Sequence, residues 1–166
     1  MKTSLTAILF VLVASISMAQ SPLPKGQAQL NAGVGLSSWG VPIYVGLDFG
    51  VTPELSLGGE VSFERYDEDW HAYHYNHSIV SISGNANYHF NKLMKIPSNW
   101  DLYAGINIGF YIWSSPGDYH GDHSSSLGLG AQVGGRYYLS KTVGLNLEFG
   151  GGNEFSGGKF GVSIKL

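Results

Sequence analysis

Trp100-Asp101-Leu102-Tyr103-Ala104-Gly105-Ile106-Asn107-Ile108-Gly109-Phe110-Tyr111-Ile112 decides the fold. Every second residue is apolar, from Trp100 through Leu102, Ala104, Ile106, Ile108 and Phe110 to Ile112. The residues between them are Asp, Tyr, Gly and Asn. A helix would scatter the apolar set around its axis, whereas a strand, with alternating side chains, gathers it on one face. The period recurs over Ala28–Leu36, Ile43–Val51, Leu55–Phe63 and Val80–Phe90, and again over Leu127–Leu139, Val143–Phe149 and Phe160–Leu166. No apolar-side position in these runs carries a charge, an amide or an aliphatic hydroxyl. The pattern predicts eight strands with unlike faces.

The polar side says which face looks outward. It holds Gly33, Gly46, Gly58, Gly105, Gly130, Gly134 and Gly161, mixed with Ser, Asn and Gln. Glycine weakens a strand and covers nothing, so a water-facing sheet uses longer polar residues instead. A narrow barrel interior has the opposite need, for small groups that can bond one another. The small polar face is therefore expected to line a lumen and the apolar face to meet lipid. A chain with 24 glycines and only 13% charged residues agrees with this, since soluble domains average about 25% charged. Phe63, Tyr88, Phe90, Trp100, Tyr137 and Phe149 fall near strand ends, where aromatic girdles mark the two membrane interfaces.

Residues 1–19 read as a cleavable signal peptide. Lys2 supplies the positive start, Ala7–Ala14 the apolar core, and Ser17-Met18-Ala19 a small-x-small cleavage site. The apolar run is shorter than the roughly 20 residues a helical span needs, so a membrane location requires strands. Residues 20–26 form a short lead-in and residues 27–166 the barrel. The chain has no cysteine, which excludes disulfides, thiolate metal sites and a lipidated N-terminal cysteine. A net charge of −3 gives no basic face for nucleic acid.

With both ends of an even-stranded barrel in the periplasm, the short connections Thr52-Pro53-Glu54 and Ser140-Lys141-Thr142 are periplasmic turns. The long polar stretches Tyr66–His77 and Ser114–Ser126 are then outer loops. Asn91–Asn99 is long for a periplasmic turn, and its Lys92-Leu93-Met94-Lys95 stretch suggests an interfacial contact. Gly134-Gly135-Arg136-Tyr137-Tyr138-Leu139, followed by Gly144-Leu145-Asn146-Leu147-Glu148-Phe149-Gly150, resembles the bacterial outer-membrane β-barrel domain (porin-family, OmpA/OmpX-like). Leu55–Glu60 and Trp100–Gly105 are similar to it as well. The resemblance implies an all-β, eight-stranded, antiparallel up-and-down transmembrane barrel, inserted in the cell outer membrane by the barrel-assembly machinery. Its surroundings would be outer-membrane lipid and lipopolysaccharide, and the chain is expected to be a monomer.

Chemistry is sparse. His71, His74, His77, His120 and His123 sit among acidic residues in the two outer loops. Imidazole and carboxylate suit zinc, nickel or copper, but no regular spacing sets these histidines on one face. His123-Ser124-Ser125 pairs an imidazole with a hydroxyl, as a lipid A-modifying hydrolase would. No carboxylate follows at strand spacing to orient it. On the polar face, Asp48, Glu60, Glu64, Arg136 and Glu148 form an ionic set, and Arg136 is expected to sit between Glu60 and Glu148. Such a set reads as an ion path or as a salt-bridged plug, and the width of an eight-stranded barrel favours the plug. No cofactor and no catalytic residue is expected. The function this implies is structural or surface-interacting, in adhesion or envelope integrity. The alternatives are a narrow pore for small solutes and a lipid A-modifying enzyme.

Overall fold

The computed structural model describes residues 22–37, 40–70, 73–114, 125–152 and 156–166, giving the backbone path alone at 66–70 and 73–76. Strands β1 (Ala28–Ser37), β2 (Ile43–Gly50), β3 (Leu55–Trp70) and β4 (Tyr73–His89) are followed by a single helical turn, Asn91–Met94. β5 (Trp100–Ser114), β6 (Ser126–Tyr138), β7 (Val143–Gly152) and β8 (Gly157–Lys165) complete the chain. Each strand pairs antiparallel with the next, and β8 closes on β1 with Leu30 opposite Ile164 and Val34 opposite Phe160. Closure leaves no sheet edge within the barrel wall, so the backbone donors and acceptors there find partners without water. No helix among the described residues is long and apolar enough to cross a membrane.

The alternation faces as the sequence predicts. Ile106 is 67% exposed and Leu129 60%, and the other apolar-side residues of β5 and β6 also point away from the lumen. Gln29, Asp48, Asn87, Asp101 and Arg136 are buried instead. A water-soluble barrel would invert this arrangement, because its aliphatic side chains would fill the interior. Trp100 and Tyr137 meet at a tilt with centroids 4.8 Å apart, and Tyr88 and Phe90 meet edge to face at 5.2 Å, forming an aromatic band at the short-turn end of the barrel, the periplasmic end on the sequence reading.

Three features differ from the sequence expectation. Tyr66–His77 is not a loop along most of its length: β3 and β4 keep pairing through Asp67 opposite Asn76 and Asp69 opposite His74 to Trp70 opposite Tyr73. Apolar alternation stops where a strand leaves lipid, but the hydrogen-bonded ladder need not. Asn91–Asn99 contains the short helix, which ends at Lys95 in a left-handed conformation (φ 53°). Lastly, residues 22–26 are more than a lead-in. Pro22 and Leu23 are fully buried, and the Gly26 amide donates to the Gly50 carbonyl at 2.8 Å. A Cβ on Gly50 would lie 2.3 Å from the Pro24 carbonyl oxygen, so the segment can enter the barrel mouth only over a glycine. The predicted leader, residues 1–19, lies outside the described residues.

Candidate functional site

The lumen carries the chemistry, in two storeys. At the periplasmic end Arg136 is 2% exposed. Its Nη2 donates to Asp48 Oδ2 at 2.7 Å and its Nη1 to Asp101 Oδ2 at 3.0 Å. Asp101 is the direct cross-strand partner of Arg136, while Asp48 reaches it from across the barrel. The guanidinium lies 4.3 Å from the centre of the Tyr103 ring. That ring lies flat over Gly134, its own cross-strand partner, where a Cβ would come within 2.3 Å of the ring carbon. The glycine thus makes room for the aromatic platform on which the arginine rests.

From Arg136 the bonds run around the whole barrel. Asp101 Oδ1 lies 2.7 Å from His89 Nδ1, and His89 Nε2 lies 2.9 Å from Ser56 Oγ. In the other direction, Asp48 Oδ2 accepts from Asn31 Nδ2 at 2.9 Å, and Asn31 Oδ1 accepts from Ser163 Oγ at 2.7 Å. Ser163 accepts from Asn146 Nδ2 at 3.0 Å, and Asn146 Oδ1 accepts from Tyr44 at 2.8 Å. Ser56, His89, Asp101, Arg136, Asp48, Asn31, Ser163 and Asn146 come from β3, β4, β5, β6, β2, β1, β8 and β7, so one chain of bonds ties every strand. Below it the Lys165 ammonium sits 3.6 Å from the centre of the Tyr138 ring, and the Tyr138 hydroxyl donates to Gln29. Arg136 Nε is the one side-chain atom in this chain of bonds left buried without a hydrogen-bond partner, and buried polar groups joined this widely rigidify an interior and specify it.

Ser56, His89 and Asp101 have the bond order of a hydrolytic triad. Ser56 is 1% exposed and lines neither lumen cavity, and the second oxygen of Asp101 is taken by Arg136. A nucleophile needs space about 3 Å away for the reacting atom. Here that space is filled, and the three residues serve to tie β3, β4 and β5 together.

One storey up, Lys159 Nζ donates to Glu60 Oε1 and lies 3.4 Å from Glu148 Oε1. Glu148 is its direct cross-strand partner and also accepts from the Tyr103 hydroxyl at 2.8 Å, linking the storeys. Glu60, Arg136 and Glu148 therefore all face the lumen, but not as the single cluster expected. Lys159, not Arg136, stands between the two glutamates, because register sets Lys159 opposite Glu148 and drops Arg136 to the level of Asp101. Between the storeys only about 20 Å³ of open volume remains, room for a water or two. Above Lys159 the lumen widens into a cavity of about 310 Å³.

Lys159 escaped the sequence reading because it stands beside Gly157 and Gly158, before the apolar run at Phe160 begins. Asp101 and His89 already stand on the polar side of their runs, between Trp100 and Leu102 and between Tyr88 and Phe90, but were not counted with the ionic set. Continuing the alternation one step before Phe160 would have placed Lys159 inward as well. Of the candidate metal ligands, His77 is buried with its ring 6.0 Å from that of Trp113. His74 is placed only by its backbone pairing with Asp69, and His71, His120 and His123 lie outside the described residues. Among the described residues no three His, Cys, Asp or Glu side chains are grouped to hold a metal ion.

Against known proteins, the sequence pattern of the family described as outer membrane protein beta-barrel domain matches residues 5–163. No curated protein matches significantly. Solved structures share the fold. The outer membrane protein OprG from Pseudomonas aeruginosa superposes with a TM-score of 0.69 at 8% identity, over 87% of this chain and 97% of that one. Neisserial surface protein A gives 0.53 at 19% identity, over 84% and 95%. Ail, the attachment invasion locus protein of Yersinia pestis, gives 0.53 at 12% identity, over 86% and 99%.

Proposed function

The chain belongs to the outer membrane protein beta-barrel domain family, and from that premise we propose that it is a surface-interaction barrel, a closed scaffold that holds the β3–β4 hairpin out beyond the membrane. The observation that carries the reading is strand length. β3 runs 16 residues and β4 17, against 10 for β1 and 8 for β2. A tilted membrane strand needs about 9–11 residues. Roughly six residues of each long strand therefore extend past lipid, and at about 3.4 Å per residue they form a paired arm some 20 Å long. That arm, 65–70 paired with 73–77, carries Asp67, Glu68 and Asp69 along with Trp70, Tyr73 and Tyr75. Aromatic side chains are enriched in contact surfaces, and the charges around them suit a solvated rim.

Residues 1–19 act as the export leader on this reading, and the barrel-assembly machinery inserts a monomer among lipopolysaccharide. Ail, a barrel of the same shape, has been solved with the heparin analogue sucrose octasulfate. That supports reading this arm as a binding element. The filled periplasmic half of the lumen argues against a solute pore. The test replaces 67–76 with a short Gly-Ser turn and compares intact cells bearing either barrel for capture of extracellular ligands. Loss of capture, with unheated gel mobility retained, is expected. Unchanged capture together with steady, uniform single-channel openings would overturn the reading in favour of transport.

A further inference from the structure

The upper lumen contains a feature that the surface role does not use. The cavity of about 310 Å³ is floored by the Lys159–Glu60–Glu148 bridge and walled on β3 to β5 by Ser62, Ser81, Ser83, Asn107 and Tyr111. Its volume is at the lower end of the roughly 300–1,000 Å³ typical of small-molecule sites. The wall is dense in hydroxyls and amides, which donate and accept at close spacing, as a polyhydroxylated solute requires. Ile79 adds one apolar patch.

Charge selects among such solutes. Three carboxylates, Glu60, Glu64 and Glu148, border the cavity or its floor, but the one ammonium there, Lys159, is held by Glu60 and Glu148. Glu64 is 8% exposed, and among the described residues its bonded partner is the Ser37 hydroxyl at 2.9 Å. A carboxylate this enclosed, bordering a cavity and bonded there to a neutral group, would be stabilised by a cation in that cavity. The periplasmic storey meets the same need internally, with Arg136 between Asp48 and Asp101.

We propose that the outer half of the lumen is a blind binding cup for a small organic ammonium compound bearing hydroxyls. The ammonium sits against Glu64, the hydroxyls against the serine-lined wall, and the plug below prevents passage to the periplasm. The carboxylate at Glu64 confers selectivity for charge, and the cavity volume excludes oligomers.

The test uses the full-length barrel refolded in detergent micelles and titrated calorimetrically with glucosamine, ethanolamine, glucose and N-acetylglucosamine. Glucosamine should bind, and the neutral sugars should bind at least about tenfold more weakly, the discrimination one lost charge contact gives. Glu64→Gln keeps the shape and the Ser37 bond while removing the charge, so it should erase the preference for glucosamine over glucose. Unheated gel mobility confirms that the variant is folded. Amide shifts on titration should cluster at Ser62, Ser81 and Ser83 and spare Asp101. Three results would each overturn the proposal: neither amine binds at millimolar concentration, charged and neutral sugars bind alike, or Glu64→Gln leaves the preference intact. The last would place the ammonium on the acidic arm at Asp67–Asp69.

Discussion

The two halves of the lumen are built from one alternating pattern and one palette of small residues, yet they solve opposite problems. In the periplasmic half, opposite charges and complementary amides meet within bonding distance, and Pro22 and Leu23 fill the mouth. In the outer half, serines line open space and Glu64 has no charged partner among the described residues. The difference lies in side-chain reach. Arg136, Gln29 and the tyrosines span the barrel's radius, whereas a serine stops at the wall. Strand count sets the diameter, and side-chain length then decides whether that diameter is plug or cup.

The largest effect that could break this contrast is Arg136→Ala. It strands Asp48 and Asp101 in a dry interior, and losing one partner of a buried ion pair costs about 3–5 kcal/mol. The urea midpoint of the refolded barrel should fall accordingly. The loss should shrink in an Asp48→Asn/Asp101→Asn background, where no charge is left unpaired. If Arg136→Ala behaves like a surface substitution, the periplasmic half is wet and the contrast fails.

Next comes the wall that both halves share. Ile106→Arg places a charge on the lipid face midway along β5 and should cost about 2–4 kcal/mol or block assembly. Asn107→Asp, one residue along and lumen-facing, should be milder. Reversal of that order, read from urea titration and unheated gel mobility, would mean that the faces are exchanged.

Lys159→Met sharpens the comparison between storeys. It releases Glu60 and Glu148, but at the floor of a cavity that can admit water. Leaving buried acceptors unsatisfied costs about 1–3 kcal/mol, so its urea midpoint should lie between those of Arg136→Ala and wild type. A loss equal to that of Arg136→Ala would show both storeys to be equally dry.

Sequence reading succeeded where lipid imposes a rule and failed where it does not. All eight strands were legible because every lipid-facing position is apolar, and β5 is read correctly from its first residue, Trp100. The outward reach of β3 and β4 was not legible, since beyond Phe63 and before Val80 water accepts any side chain and the alternation fades. The lumen set was half legible. Arg136, Glu60 and Glu148 stand out as charges in apolar strands, but their pairing depends on register. Sequence spacing within a strand does not reveal that Asp101 lies opposite Arg136, or Lys159 opposite Glu148. The tucked-in Pro22-Leu23 could not have been foreseen from two residues with no periodic context.

The smallest effect lies outside the membrane, at the periplasmic rim, where Lys92 of the short helix donates to Glu54 of the β2–β3 turn at 2.7 Å. The turn is built by Thr52, whose hydroxyl accepts the Glu54 and Leu55 amides at 3.2 and 3.0 Å. The Lys92 hydrogen bond holds the Glu54 carboxyl below its usual range, and the same bond raises the Lys92 ammonium above its own. A depressed carboxyl stabilises the fold above its unfolded pKa, and the contribution fades as pH falls through the lower folded value. A raised lysine stabilises below its unfolded pKa and loses that as pH rises through the higher folded value. The pair's contribution should therefore be flat from about pH 5 to pH 9, bracketed by ordinary values near 4.3 and 10.4. Exposed pairs are weak, because water and salt screen them. Lys92→Ala should lower the urea midpoint slightly at neutral pH, by far less than Lys159→Met. In acid, once the pH has fallen below the lowered folded value of Glu54, the variant should coincide with wild type. A difference that persists there unchanged would mean that Lys92 acts through the packing of the turn at Asn91–Met94 and not through its charge.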